Sequence, residues 1–161
     1  MIEYDKMREV IVSGLSTYIG CPVIRQNHDG EQPEYPFVSY TITTLMSQNN
    51  GAYGVYDDGI DRKPITQIWS ISSHSRNNSE SVTLICKVRE WFDRVGTQYL
   101  NDNNVIVQSI GSITNRDNLI TIGYEYRNGF DIDFWLFDEV NNPITDENTI
   151  ETIDIKQSEY K

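Results

Sequence analysis

This chain predicts an α+β fold, with helices on one face of a mostly antiparallel sheet. Three observations predict it. The hydrophobic patterns run in the order helix, strand pair, helix, strand pair. Two segments carry apolar residues at the three- and four-residue spacing of an amphipathic helix. Elsewhere apolar and polar residues alternate with the period of two that a strand imposes. The 161 residues suit one domain, placed at 1–140, with a polar and acidic tail over 141–161.

Residues 3–19 read as the first helix, with Met7, Val10, Ile11, Leu15 and Tyr18 on one face. Glu3 and Asp5 suit its positive dipole end, and Gly20 followed by Pro22 gives it a stop. Val23–Arg25 reads as a short strand and 26–34 as a polar loop. Pro36–Leu45 reads as a strand with Val38, Tyr40 and Ile42 on one face and Thr41 and Thr43 on the other. Pro33 and Pro36 suit a strand entry or an edge. Residues 46–63, rich in Asn, Gly, Tyr and Asp, read as a long loop. Such loops are usually functional or disordered, mobile decoration being the plain alternative. Pro64–Ser73 is the next strand, with Trp69 and Ile71 facing away from Ile68. The run Ser75–Glu80 offers several N-caps for a second helix over Ser79–Val95, with Gly96 as its end. Leu84, Ile85, Val88, Trp91, Phe92 and Val95 form its apolar stripe.

The last strand pair, Val105–Phe137, poses a problem of register. A turn centred on Arg116-Asp117 sets Ile113 opposite Ile120, Gly111 opposite Ile122, Ser109 opposite Tyr124 and Val107 opposite Tyr126. Asn115, Asp117 and Asn118 are good turn residues because their side chains bond nearby backbone. Asn128-Gly129 is a strong hairpin signal in its own right. A hairpin there puts apolar even positions on one face with acidic odd ones. Without it, Ile120, Ile122, Tyr124, Tyr126, Phe130, Ile132, Phe134 and Leu136 keep one parity. A one-residue slip flips every side chain, so parity favours one bent strand, roughly 55 Å long over 120–136. A strand that long predicts contacts beyond its own core.

Composition narrows the chemistry. Net charge is −11 and the pI about 4.5, with Arg62-Lys63 the one adjacent basic pair. Tight phosphate-backbone binding needs Lys and Arg clusters, so the acidity reads either as solubility or as a surface that DNA passes without sticking. No apolar run approaches the ~18 residues of a membrane span. The charged, amphipathic start is unlike a signal peptide, so a cytosolic origin is expected. Cys21 and Cys86, the two cysteines, read as ordinary thiols. His28 and His74 lack metal-ligand spacing with them, and no Gly-x-Ser-x-Gly elbow is present. His74, between Ser73 and Ser75, reads as a strand exit. Asp57, Asp58 and Asp61 lack the ligand set of a calcium loop, and Asp131 and Asp133 alternate as an exposed strand face would. Gly51, Gly54 and Gly59 precede no helix that could hold a phosphate. These patterns predict no catalytic residue, no cofactor and no metal. Arg116 and Arg127 read either as local partners of Asp117 and Glu125 or as salt bridges to an adjacent subunit.

Taken together, YDKMREVIVSGLSTYIGCPVIR, EYPFVSYTITT, RKPITQIWSIS, the KVREWFDRVG helix and VIVQSIGSITNRDNLITIGYEYRNGFDIDFW resemble the neck or tail terminator proteins of long-tailed bacteriophages. The likeness spans roughly residues 4–137. It implies a non-enzymatic virion subunit that forms a ring, commonly a hexamer, at the head-proximal end of the tail tube. Its implied partners are itself, the tail tube protein and a head-completion protein. DNA passes through the lumen without specific binding, and no membrane is involved. The residues expected at subunit contacts are Tyr53, Tyr56, Asp57 and Asp58 in the long loop, Arg116 in the turn, and Arg127 with Phe130. In the tail, Ile150, Ile153 and Ile155 suit an arm that adds to a neighbour. The rival readings are another connector subunit, an acidic metal-dependent hydrolase built on the Asp clusters, and an acidic DNA mimic.

Overall fold

In the computed structural model the described residues are 3–27, 30–48, 54–55, 59–120 and 123–141. Helix α1 spans Tyr4–Ile19 and α2 spans Asn78–Glu90, near their expected places. Gly20 closes α1 in the left-handed region (φ 73°), its N–H reaching Ser16 O. The side chain of Asn77 caps α2 by accepting from Glu80 N. The expected single helix to Val95 is in fact two pieces, and a third follows it. After Glu90 the chain makes one π-turn, Trp91–Val95, and Gly96 leads into a short α3, Thr97–Asp102, that the sequence reading did not contain. Gly96 ends the run as expected, its N–H bonding Trp91 O, and it is also there for space. A Cβ on it would clash with the indole of Trp91, which also lies against Gly14 of α1.

The strands are β1 (Val23–Arg25), β2 (Phe37–Gln48), β3 (Gly54–Val55), β4 (Ile60–Ser75), β5 (Ile106–Ile110), β6 (Thr114–Asn115), β7 (Asn118–Ile120) and β8 (Gly123–Asn141). The sheet runs β1-β2-β4-β8-β5, with β3 on β4 and with β6 and β7 on β8. All pairs are antiparallel except β1 with β2. The fold is α+β, as the patterns predict. The 46–63 loop is shorter than expected, because β2 continues to Gln48 and β4 already begins at Ile60. Pro64 falls between the β3 pairing, which ends at Arg62, and the β2 pairing, which begins at Ile65. A missing N–H is tolerated at such a break.

The register of the last strands differs from the expected one. The chain does not reverse at Arg116-Asp117. It reverses between Ile120 and Gly123, which pair with each other, and Thr121 and Ile122 lie outside the described residues. Hence Val107 pairs with Phe134 and Asn115 with Asn128, not with positions near Tyr126 and Asn118. Ile120 is therefore not part of the last strand, which starts at Gly123. The turn-forming side chains at 115–117 do act locally. Asn115 Oδ1 accepts from Asp117 N, and Asp117 Oδ1 accepts from Arg127 N, so the strand line is interrupted without being turned.

Asn128-Gly129 is no hairpin tip: β8 runs straight through it, paired to β4 from Tyr126 to Asn141. Gly129 is needed because Arg116 lies over it. A Cβ built there would sit 2.8 Å from Arg116 Nη1, 2.7 Å from Ser72 Oγ and 2.5 Å from Ile71 O. Gly129→Ala is expected to cost about 1–3 kcal/mol by overpacking. Urea unfolding measures this, and an unchanged midpoint would show that Arg116 moves aside freely.

The core lies between the helices and one face of the sheet. Ile11, Leu15, Ile85, Val88, Phe92 and Leu100 pack on Val38, Ile65, Trp69, Ile71, Phe130, Ile132 and Phe134. The parity expected of β8 holds from Phe130 to Leu136 and fails before it, where Tyr124 is exposed and Glu125 buried. A polar pin joins sheet to helix: Ser73 Oγ donates to Ser81 O, and Asn128 Nδ2 donates to Ser81 Oγ.

Candidate functional site

The sheet face away from the helices is reached by odd residues of β2 and β8 and by even residues of β4. Its side chains form two polar clusters, then turn apolar towards one end.

The first cluster centres on His74. Pairing β2 with β4 places Phe37 across from His74, and their rings stack 4.4 Å apart. His74 Nε2 lies 2.7 Å from Ser39 Oγ, and Nδ1 lies 2.7 Å from Glu125 Oε1. Arg127 grips Glu125 Oε2 with Nε at 2.9 Å and Nη2 at 2.6 Å. A carboxylate can only accept, so Nδ1 carries the imidazole proton and Nε2 accepts from the Ser39 hydroxyl. Burial pushes the His74 pKa below its ordinary value; the bond and charge of Glu125 oppose this and Arg127 adds to it. Burial alone would raise Glu125, but the hydrogen bonds and charges of Arg127 and His74 hold it below the usual carboxylate value.

A Ser-His-acid line is the arrangement that activates a serine nucleophile. Ser39, however, is itself buried, and its strand is paired on both sides by β1 and β4. The line ties β2, β4 and β8 together. The sequence placed His74 correctly at a strand exit, but Ser39 and Glu125 gave no sign that they would meet it.

The second cluster centres on Arg116. Its Nη1 donates to Ser70 Oγ (2.7 Å) and Ser72 Oγ (3.2 Å), and Nη2 pairs with Asp131 Oδ1 at 3.0 Å. The hydrogen bond from Ser70, then Arg116, holds Asp131 below the usual carboxylate range despite partial burial. Asp133 accepts from Ser109 Oγ at 2.8 Å. The two aspartates, spaced as a strand demands, thus have separate protein partners. Among the described residues no group of three His, Cys, Asp or Glu side chains converges.

Of the expected contact residues, Arg127 and Arg116 use their guanidinium groups inside the subunit, each keeping about a quarter of its side chain exposed (25% and 28%). Phe130 is fully buried, edge-on to Phe92. Its even position puts it on the helix side of β8, so its side chain belongs to the subunit's core and not to its surface. Tyr53, Tyr56, Asp57 and Asp58 lie outside the described residues.

The apolar end offers what sequence reading missed. Leu45, Met46, Trp135 and Phe137 are all substantially exposed, and they sit on β2 and β8 near one end of the sheet. Trp135 and Phe137 lie side by side, ring centroids 5.6 Å apart. Scattered exposed apolar residues need no explanation, but two exposed aromatic rings side by side, as Trp135 and Phe137 are, suit an interaction surface. Parity already put Phe134 and Leu136 inside, which leaves Trp135 and Phe137 facing out; their exposure as a pair of rings is what the structure adds.

Arg116 and Arg127 thus pair within the chain, while Trp135 and Phe137 leave adjoining rings exposed at one end of the sheet. The chain belongs to the phage neck terminator protein family, whose profile matches residues 9–160. That match runs on past Phe137, where the sequence likeness was drawn. It assigns a structural role in the virion neck. No curated protein matches the chain. One solved structure aligns with 84% of this chain and 96% of its own, at 11% identity and a TM-score of 0.40, a likeness that carries no argument. No described helix is long and apolar enough to cross a membrane.

Proposed function

We propose that this chain forms a ring, six subunits being the expected number, that caps the tail tube and joins it to the head. The apolar sheet end carries this reading. Trp135 and Phe137 give each subunit a pair of exposed adjoining rings, with Leu45 and Met46 exposed on β2. Head-to-tail contact of such a patch with a different surface of the next copy closes a ring and ends growth. Trp135 is the natural anchor, since aromatic residues dominate interface energetics. The loop residues Tyr53, Tyr56, Asp57 and Asp58 are proposed to contact the neighbour or the tube. The tail tube protein and a head-completion protein are the proposed axial partners, assembly taking place in the host cytoplasm. The net charge of −11 suits a lumen through which DNA slides.

The test replaces Trp135 and Phe137 together by Ser. Both are partly exposed, so the fold is expected to survive, with thermal melting as the control. Rings on purified tail tubes, counted by electron microscopy, are expected to fall at least about tenfold, the loss of roughly 1.4 kcal/mol or more per contact. Undiminished rings would remove this patch from the interface. Overlong or headless tails in particles lacking the protein would distinguish a terminator from another connector subunit.

A further inference from the structure

On the helix side of the sheet, a groove of about 640 Å³ opens between the start of α1 and the ends of β4 and β8. Its apolar lining includes Met7, Val10, Val105, Leu136 and Val140. Val140 is 54% exposed, a large apolar side chain without cover from the described residues. Asn141, the last residue of β8, stands on the groove's rim. We infer that the groove is the seat of this chain's own C-terminal segment, residues 144–155.

Four observations bear on the occupant. The chain leaves β8 at the rim, and Asn142-Pro143 follows at once. Asn-Pro favours a turn, which directs the chain back instead of onward. Next, residues 149–155, Thr-Ile-Glu-Thr-Ile-Asp-Ile, are dense in β-branched side chains suited to an extended, half-buried strand. Ile144, Ile150, Ile153 and Ile155 supply apolar groups to match the lining. Reach is ample: twelve extended residues span up to ~40 Å, against ~24 Å for the sixteen-residue α1. Finally, the family match continues to residue 160, so the segment is part of what defines the family and not an appended tail.

Asp61 adds a polar reason. It pairs across the sheet with Val140 and shares its helix-side face. Its Oδ1 is buried and has no hydrogen-bond partner. A buried acceptor without a donor calls for one, and a returning segment brings backbone N–H groups to this end of the sheet. The inference is separable from ring formation: Phe137 borders the groove as well as lying beside Trp135, but the segment fills a groove of its own subunit, and the exchange readout needs no second copy.

Hydrogen–deuterium exchange on the full-length chain tests this through two variants. In the first, Ile150, Ile153 and Ile155 are all changed to Asp. Amides of residues 3–10 and 103–106, which border the groove, are expected to exchange at least about tenfold faster than in the unaltered protein. In the second, Val140→Asp, an exposed position, is expected to speed exchange within 144–155 by a similar factor while melting stays unchanged. Unaltered exchange in either variant overturns the proposal. So does protection of 144–155 that disappears on dilution, because the occupant would then be a second copy.

Discussion

Replacing Glu125 by Ala is expected to destabilise the subunit by about 3–5 kcal/mol, the usual cost of removing one partner from a buried ion pair. The carboxylate is 2% exposed and accepts from Arg127 twice and from His74 once. Its loss leaves a half-buried guanidinium without a counter-ion and an imidazole N–H without an acceptor. Glu125→Gln keeps the shape and one acceptor, and should cost nearer 1–3 kcal/mol. Against a domain stability of roughly 5–15 kcal/mol, only the Ala variant threatens folding. Chemical denaturation of both variants decides it: if each loses under about 1 kcal/mol, the cluster is ornamental.

The same cluster sets an acid limit, and both signs agree. His74 in the fold lies below its ordinary 6.5. Under that pH the unfolded chain takes up a proton that the native chain refuses, so stability falls as pH drops from 6.5 towards the depressed value. Glu125 lies below its ordinary 4.5. Its contribution is complete above that pH and is lost as pH falls further through the native value. The subunit should therefore weaken in two stages below neutrality. Substituting His74 by Gln should flatten the first stage, below pH 6.5, and shrink the second in part, because His74 helps to hold Glu125 low. A stability profile of the unaltered protein that stays level from pH 7 to 5 would count against a buried neutral His74.

Much of the fold could be read from the chain because its helices and inner strands obey strong periodicities. Met7, Ile11 and Leu15 on α1, and Val38 and Tyr40 on β2, are buried as their spacing says. Register was harder, for a physical reason. Asn115, Asp117 and Asn118 satisfy the local chemistry of a turn, but that chemistry serves equally to bridge an interruption between β6 and β7. Asn128-Gly129 likewise satisfies a hairpin, yet Gly129 serves the close approach of Arg116 from another strand. Local signals state what a backbone tolerates; distant partners decide how the tolerance is used. The candidate site was less legible still. Ser39, His74 and Glu125 lie on three strands far apart in sequence, and pairing alone brings them together.

Trp69→Ala is expected to have an effect as large as the loss of Glu125, about 3–5 kcal/mol from lost burial and the cavity left behind. Trp69 is 1% exposed, stacks on Tyr40 at 4.7 Å and meets Phe134 edge-on at 5.5 Å. It also carries a polar contact that a cavity estimate omits. Its Nε1–H donates to Gln67 Oε1 at 2.6 Å, and Gln67 Nε2 donates in turn to Leu45 O at 3.1 Å. Gln67 is wholly buried, so both ends of its amide need partners. Trp69→Phe separates the two contributions. It retains much of the ring but orphans Gln67 Oε1, for an expected cost of about 1–3 kcal/mol. The chain of bonds ends at Leu45, beside the exposed apolar patch. Loosening it should therefore quicken amide exchange around residues 44–47 even where Trp69→Phe stays folded. A variant that loses stability with exchange at 44–47 unchanged would mean that Gln67 holds its position without Trp69, and that the core does not order the exposed residues around Leu45.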